Sequence, residues 1–283
     1  MIPARLLGTR EGDGRPVELL MLRPLAPTRW EALVRPGRRC RVGARLVVAA
    51  GAARATVVAE KESGVRVLDV EAPHPVREML ERHGLPPLPP YITRHAAPMP
   101  DDRARYQTVY ARHEGSVAAP TAGLHFTDEL MERLAHAGVE IHKLTLHVGA
   151  ATFRPLKGER VEAHQIDPET AEIPDDTARA RLTARAEGRR VIAVGTTTTR
   201  ALEWASREGG SITPGAGAAD LYIYPGYAFK VVDGLITNFH LPRSSLMLLA
   251  SAFCGREVLL KAYGHAIAAR YRFYSYGDAM LIL

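Results

Sequence analysis

The chain has 283 residues, 37 Lys plus Arg against 31 Asp plus Glu, and a formal net charge of +6; 46% of it is hydrophobic and 24% charged. That balance supplies a sizeable core and excludes a disordered, collagen-like or disulfide-scaffold chain, and two domains of about 100–200 residues are expected. Two cysteines, Cys40 and Cys254, an apolar run Leu246–Cys254 too short for the roughly 20 residues of a membrane span, and an opening MIPARLLGTREG without a signal-peptide core point to a soluble, cytoplasmic protein.

Five short apolar or alternating stretches come first: Ile2–Leu7, Val17–Leu22, Cys40–Ala49, Ala53–Ala59 and Val65–Val70. Turn chemistry separates them at Gly12-Asp13-Gly14, Arg35-Pro36-Gly37, Gly51 and Ser63-Gly64, which predicts a small antiparallel barrel or sandwich. A short helix, His74–His83, ends at Gly84, and the proline-dense LPPLPPYI, Leu85–Ile92, reads as a stiff connector. The domain boundary is placed near residue 95, giving a basic barrel-like domain over 1–95 and a second domain over 96–283. In the second, Thr127 is expected to cap the helix ELMERLAHAG, with Asp128 and Glu129 in its first turn. A strand over Val139–Val148 follows, then a polar helix from Asp175 to Gly188. The strand Val191–Val194 runs through Gly195 into a helix ending near Gly209. Leu221–Tyr224 reads as a strand, Ser244–Phe253 and Glu257–Tyr271 as helices, and Met280–Leu283 as a last strand. Strands alternating with helices predict an α/β core domain beside the smaller all-β barrel-like one.

The charge is uneven. Residues 1–100 hold 16 Lys/Arg and 10 Asp/Glu, the whole of the +6, densest from Arg23 to Arg45, whereas residues 101–283 hold 21 of each. Arg is the better bidentate phosphate partner, so the first third reads either as a nucleic-acid-facing module gripping through Arg38, Arg39 and Arg41, or as a solvated arginine-biased surface.

Four strings carry candidate chemistry. Gly195-Thr-Thr-Thr-Thr-Arg200, between a strand and a helix, presents backbone N–H groups and hydroxyls at the positive end of a helix dipole and suits an anion through Gly195, Thr196, Thr197 and Arg200. It lacks the GK[ST] of a P-loop, and a threonine-rich N-cap also serves structure alone. Ala118–Thr127 places Thr121 and His125 among small residues that let a ligand approach the backbone; His125 is equally a candidate core histidine. Leu144–Arg154 sets His147 in a strand ending in a Gly/Ala turn, with Thr152 and Arg154 beyond it; ligands collect at such strand ends. Asn238–Ser245 offers Asn238 and His240 in a polar loop, while Asp220, Tyr222, Tyr224 and Tyr227 bracket Pro225-Gly226, with aromatic faces that stack on a base or pack. No CxxC or HExxH accompanies His164, Asp167 and Glu169, so no metal is expected.

Together, LPPYI, YQTVYA, GSVAAPTAGLHFT, LTLHVGAATFRP, VIAVGTTTTRALE, ADLYIYPGYAFKVVDGLITNFHLPRSSLMLLASAF and YRFYSYGDAMLIL resemble the S-adenosylmethionine:tRNA ribosyltransferase-isomerases of queuosine biosynthesis. The resemblance covers nearly all of residues 86–283, and IPARLLG and the barrel-like stretch more loosely. It implies a β-barrel-like domain on an α/β core, and an enzyme that moves the ribosyl part of S-adenosylmethionine onto tRNA-borne 7-aminomethyl-7-deazaguanine. The product is epoxyqueuosine, and adenine and methionine leave. S-adenosylmethionine is then a co-substrate, no prosthetic group or metal is implied, and a monomer is expected. Two other readings stand beside it: a divergent S-adenosylmethionine-binding paralogue with another acceptor, and a catalytically silent RNA-binding protein.

The reaction's needs assign candidate roles. The sulfonium acidifies the adjacent ribose CH₂, so a base of modest strength suffices, and His125, His147 and His240 are the candidates. Gly195–Thr199 with Arg200 is the expected nest for the methionine carboxylate; Thr121, Arg154, Asp220, Tyr224 and Asn238 are further substrate-binding candidates. Three departures stand out. Family members carry an upstream segment ending in an NDTRV-like string, which this chain is expected to lack. Asp167 replaces a histidine of HxMHxE, and Ala151 replaces a glycine of HVGAGTF.

Overall fold

The computed structural model describes residues 1–89, 91–92, 101–149, 160–164, 166–206 and 210–283. They divide into two compact units, Met1–Gln107 with Arg112–Ala118, and Thr108–Ala111 with Ala119–Leu283.

The first unit is a closed six-stranded barrel. β1 (Arg5–Arg10), β2 (Pro16–Pro24), β3 (Arg29–Arg35), β4 (Arg45–Val48), β5 (Ala53–Glu60) and β6 (Val65–Glu71) pair antiparallel in the order β1-β2-β3-β6-β5-β4, and β4 returns to β1. Closure leaves no sheet edge. Alternation aims Leu6, Leu19, Met21, Ala32, Val34, Leu46, Ala55, Val57 and Leu68 inward, each almost wholly buried. Bulges at Met21/Arg23 and Val57/Ala59 bend β2 and β5. The helix α1 (Val76–His83) buries Val76, Met79 and Leu80.

The strand β3 is not anticipated from sequence, because Glu31 interrupts its apolar pattern. Glu31 is nevertheless buried, and Arg23 and then Lys61 hold its carboxyl down to about 2. Conversely, only Arg45–Val48 of the expected Cys40–Ala49 strand is extended, since Gly37–Arg39 form a 3-10 turn that ends at Cys40.

Among the described residues the second unit holds two three-stranded sheets. β7 (Thr145–His147), β8 (Glu169–Ile173) and β10 (Gly215–Ala219) pair in the order β10-β8-β7; β9 (Ile192–Val194), β11 (Gly234–Asn238) and β12 (Ala279–Ile282) pair in the order β12-β11-β9. β9 and β11 run parallel, Leu235 opposite Ala193, and β12 runs antiparallel to β11. The helices are α3 (Asp128–His136), α4 (Asp175–Ala186), α5 (Thr196–Trp204), α6 (Ser245–Cys254) and α7 (Arg256–Ala268); the short α2 (Asp102–Arg105) belongs to the first unit. The expected architecture, an α/β core with a smaller barrel, is the one observed.

Several elements differ from expectation. Val139 and Ile141 are exposed, and only Thr145–His147 of the expected Val139–Val148 strand is paired. Leu221–Tyr224 forms no strand; the neighbouring strand is β10, GAGAA, whose small residues pack with Ala171 and Ala201 beside Trp204. β8 alternates buried and exposed positions but begins on a carboxylate, Glu169. Thr127 caps its helix as expected, its Oγ1 accepting from Leu130 N–H at 3.1 Å, and Ser244 Oγ accepts from Met247 N–H at 3.3 Å at the start of α6.

Candidate active site

β9 and β11 lie side by side, so the segments leaving them converge. Gly195 ends β9 with φ +95°, a region that strains any residue with a Cβ, and turns the chain into α5. Its N–H donates to Ile236 C=O of β11 at 2.8 Å. The first intrahelical bond of α5 is Thr199 N–H to Gly195 C=O, so the N–H groups of Thr196, Thr197 and Thr198 precede the helical ladder. Around that end opens a cleft of about 440 Å³, including the solvent at its mouth. It is lined by Thr121, Gly195, Thr196, Thr197, Asn238 and His240 with Ala119, Pro120, Ala122, Val148, Thr198, Thr237 and Leu246.

Polar side chains of this cleft are ordered by one another. Thr121 Oγ1 donates to Asn238 Oδ1 at 3.0 Å, and Asn238 Nδ2 lies 2.9 Å from His125 Nε2. His125 is half-buried in the 3-10 turn Thr121–His125. Burial lowers its pKa, the Asp278 carboxylate raises it and Arg272 lowers it. His240 is buried, and desolvation pulls its imidazole down to about 4, so it is neutral at physiological pH. Its Nε2 meets Thr237 Oγ1 at 2.8 Å, and its backbone N–H donates to the Tyr263 hydroxyl at 2.7 Å. Thr237 and Tyr263 escaped the sequence reading. Thr237 stood one residue before Asn238 at the end of an unrecognised strand, whereas nothing in the sequence ties Tyr263 of α7 to His240.

The remaining candidates are placed differently. His147 is half-buried at the end of β7, one residue before cleft-lining Val148. Arg200 does not line the cleft. Its Nη1 donates to Glu169 Oε2 at 2.8 Å, its Nε to Leu221 C=O at 3.0 Å and its Nη2 to Ala219 C=O at 3.2 Å. Arg200 and Glu169 are both about 95% buried, so this fork ties α5 to β8 and to the end of β10. Further along α5, buried Glu203 accepts from the N–H groups of Lys230, Val231 and Val232 and from Tyr227 OH, a carboxylate anchor that sequence reading also missed. Asp220 is exposed, and half-buried Tyr224 packs 5.2 Å from Tyr222, which also meets His164 edge-on at 5.6 Å. Arg154, Thr152 and Ala151 lie outside the described residues, while Asp167 falls within them. Among the described residues no group of three His, Cys, Asp or Glu side chains is placed to hold a metal ion, and no helix is long and apolar enough to cross a membrane.

In the barrel unit, most of the arginines are neutralised. Arg5 pairs with Glu18, Arg10 with Asp13, Arg23 with Glu31, Arg29 with Asp69 and Arg45 with Glu11. Arg38, Arg39 and Arg41 are exposed and, among the described residues, make no ion pair. Their turn is pinned from below: buried Arg66 donates from Nε to Cys40 C=O at 3.0 Å and from Nη2 to Gly37 C=O at 3.2 Å, and Arg10 Nη1 reaches Arg39 C=O at 3.1 Å. Arg38, Arg39 and Arg41 thus share one turn whose backbone is held by Arg66 and Arg10.

Residues 1–282 match a family described as queuosine biosynthesis protein. The chain is 50% identical over 283 residues to the S-adenosylmethionine:tRNA ribosyltransferase-isomerase of Pelotomaculum thermopropionicum, covering 100% of this chain and 82% of that protein. The protein of the same name from Symbiobacterium thermophilum gives the same identity and coverage. The crystal structure of an S-adenosylmethionine tRNA ribosyltransferase from Thermotoga maritima is 35% identical, covers 100% of this chain and 79% of that one, and superposes with a TM-score of 0.48.

Proposed function

The chain belongs to the queuosine biosynthesis protein family, and from that premise we propose that it transfers and isomerises the ribosyl part of S-adenosylmethionine onto 7-aminomethyl-7-deazaguanine in the tRNA anticodon. Epoxyqueuosine forms, and adenine and methionine are released. The observation that carries this reading is 50% identity across the whole chain to relatives named for that activity. S-adenosylmethionine is consumed as a co-substrate, and the enzyme acts as a cytoplasmic monomer without a prosthetic group.

The cleft supplies what the reaction asks of a protein. The N-terminal turn of α5, at Gly195, Thr196 and Thr197, receives the methionine carboxylate on backbone N–H groups and hydroxyls. His125 handles the proton of the ribose CH₂ beside the sulfonium. His240, neutral by burial, orients Thr237 at the cleft wall and carries no standing charge. Asn238 couples Thr121 to His125. His147, Asp220 and Tyr224 are the candidates for contact with the substrate's other parts, and Arg200 acts from behind by fixing α5. The turn of Arg38, Arg39 and Arg41 grips the tRNA backbone through phosphate contacts.

The test is release of adenine from S-adenosylmethionine, followed with tRNA carrying the aminomethyl base, with unmodified tRNA and with none. Adenine released only with the modified tRNA supports the reading; no release with that tRNA overturns it.

A further inference from the structure

The last turn of the chain before β12 is tightly built. Tyr274 sits at φ +71°, a region that bulky L-residues rarely adopt, and such strain concentrates at functional sites. Its N–H donates to Phe239 C=O at 3.0 Å, between the two cleft residues Asn238 and His240, and Gly277 N–H closes back on Tyr274 C=O at 3.0 Å. A Cβ at Gly277 would lie 2.5 Å from the Arg272 and Phe273 backbone, so the turn accepts no larger residue there. Asp278 ends it. Its carboxylate accepts from Arg272 N–H at 2.7 Å and Arg272 Nη2 at 2.9 Å, and its own N–H donates to Arg272 C=O at 2.8 Å. The next residue, Ala279, is the register partner of Asn238, whose amide meets His125. The fold thus delivers a clamped carboxylate next to the strand end that orients His125. The Asp278 carboxylate raises the His125 pKa and the Arg272 guanidinium lowers it, each by less than burial lowers it.

We propose that Asp278 is a positioning residue of this site: held by Arg272 at the end of the strained turn, it is the counter-ion of the imidazolium that His125 becomes on taking up a proton. This rests on the reading that His125 handles the substrate proton. When His125 takes that proton from the carbon beside the sulfonium, the electron pair stays on that carbon and a positive charge appears on the ring. The Asp278 carboxylate stabilises that charge without touching the substrate. The Arg272 guanidinium partly cancels the effect, whereas its backbone N–H, which Arg272→Gln keeps, holds the carboxylate in place.

The test uses the substrate-free full chain. The His125 ring is followed by proton–nitrogen NMR across pH, its signal assigned with His125→Gln, in the wild type, Asp278→Asn, Asp278→Glu and Arg272→Gln. The His125 midpoint is expected to move to lower pH in Asp278→Asn, return towards the wild type in Asp278→Glu, and move to higher pH in Arg272→Gln. General damage to the turn would not produce shifts of opposite sign. In turnover, Asp278→Asn should lose kcat for adenine release, with KM nearly unchanged, by no more than the roughly 10²–10⁴-fold that a positioned acid or base contributes. The His125 limb of the pH profile should move with the NMR midpoint. A His125 midpoint unmoved in folded Asp278→Asn, or moved the same way by Asp278→Asn and Arg272→Gln, overturns the proposal. Because the titration needs no substrate, it decides the matter even if the wild type releases no adenine, which would instead count against the proposed function.

Discussion

The Asn238 side-chain amide stands between Thr121 and His125, with Oδ1 accepting from the Thr121 hydroxyl at 3.0 Å and Nδ2 placed 2.9 Å from His125 Nε2. With its oxygen engaged by Thr121, the amide presents N–H to the imidazole, so in this arrangement Nε2 accepts and the neutral ring carries its proton on Nδ1; the ring takes up a further proton only at Nε2, when the Asn238 N–H gives way to it. One amide therefore sets both the orientation and the tautomer of the histidine.

Groups that act as a unit lose activity non-additively. His125→Gln should lower kcat for adenine release by roughly 10²–10⁴-fold, and Asn238→Ala by a smaller factor. The double variant should be no worse than His125→Gln alone. Losses that multiply in steady-state kinetics would show that the two residues act independently.

The basic turn gives a second prediction. Reversing Arg38, Arg39 and Arg41 should weaken tRNA binding and reduce the slope of log affinity against log salt by about 2–3, the loss of three phosphate contacts. Arg66→Met should also weaken binding, although Arg66 is only 7% exposed and is itself poorly placed to meet a phosphate, because it removes the anchors of Gly37 and Cys40. Filter binding across a salt series reads both. An unchanged slope in the triple variant would place the grip elsewhere.

The barrel and the α5 end were legible because each depends on local chemistry. Alternating apolar residues between Gly and Pro turns specify short strands, and a Gly-Thr run after β9 specifies a cap whatever lies around it. What escaped was polar burial. Glu31 in β3, Glu169 in β8 and Glu203 in α5 carry no local sign of burial, yet each is buried against partners elsewhere in the chain. Arg200 stood beside the threonines in the sequence and so read as an anion ligand; Glu169, 31 residues away, claims it instead. In the same way Asp278 and Tyr263 reach the cleft region only through strand pairing and helix packing, which no local pattern announces.

The Arg200–Glu169 pair makes a stability prediction. Removing one partner of a buried pair leaves the other charge uncompensated, at about 3–5 kcal/mol. Arg200→Ala and Glu169→Ala should each destabilise by about that amount in urea unfolding, and the double variant by less than the sum. Surface-like values below about 1 kcal/mol for each single variant would show that the pair is not buried in solution.

His240 predicts a pH dependence. Its folded pKa, about 4, lies below the ordinary 6.5, so the unfolded chain binds the extra proton first. Its contribution is fully present above about pH 6.5 and is lost as pH falls from there through 4. The shift corresponds to on the order of 3 kcal/mol at its full extent. Unfolding free energies between pH 7 and 4 should fall more steeply in the wild type than in His240→Gln. Parallel curves would mean that His240 is solvated.

The most direct measurement is the nucleoside composition of tRNA bearing 7-aminomethyl-7-deazaguanine after incubation with the protein and S-adenosylmethionine, read by digestion and mass spectrometry. The proposed activity converts the aminomethyl nucleoside to epoxyqueuosine, with adenine and methionine formed in equal amount, and His125→Gln suppresses the conversion. A nucleoside that stays unchanged in the presence of folded, tRNA-bound wild-type protein would contradict it.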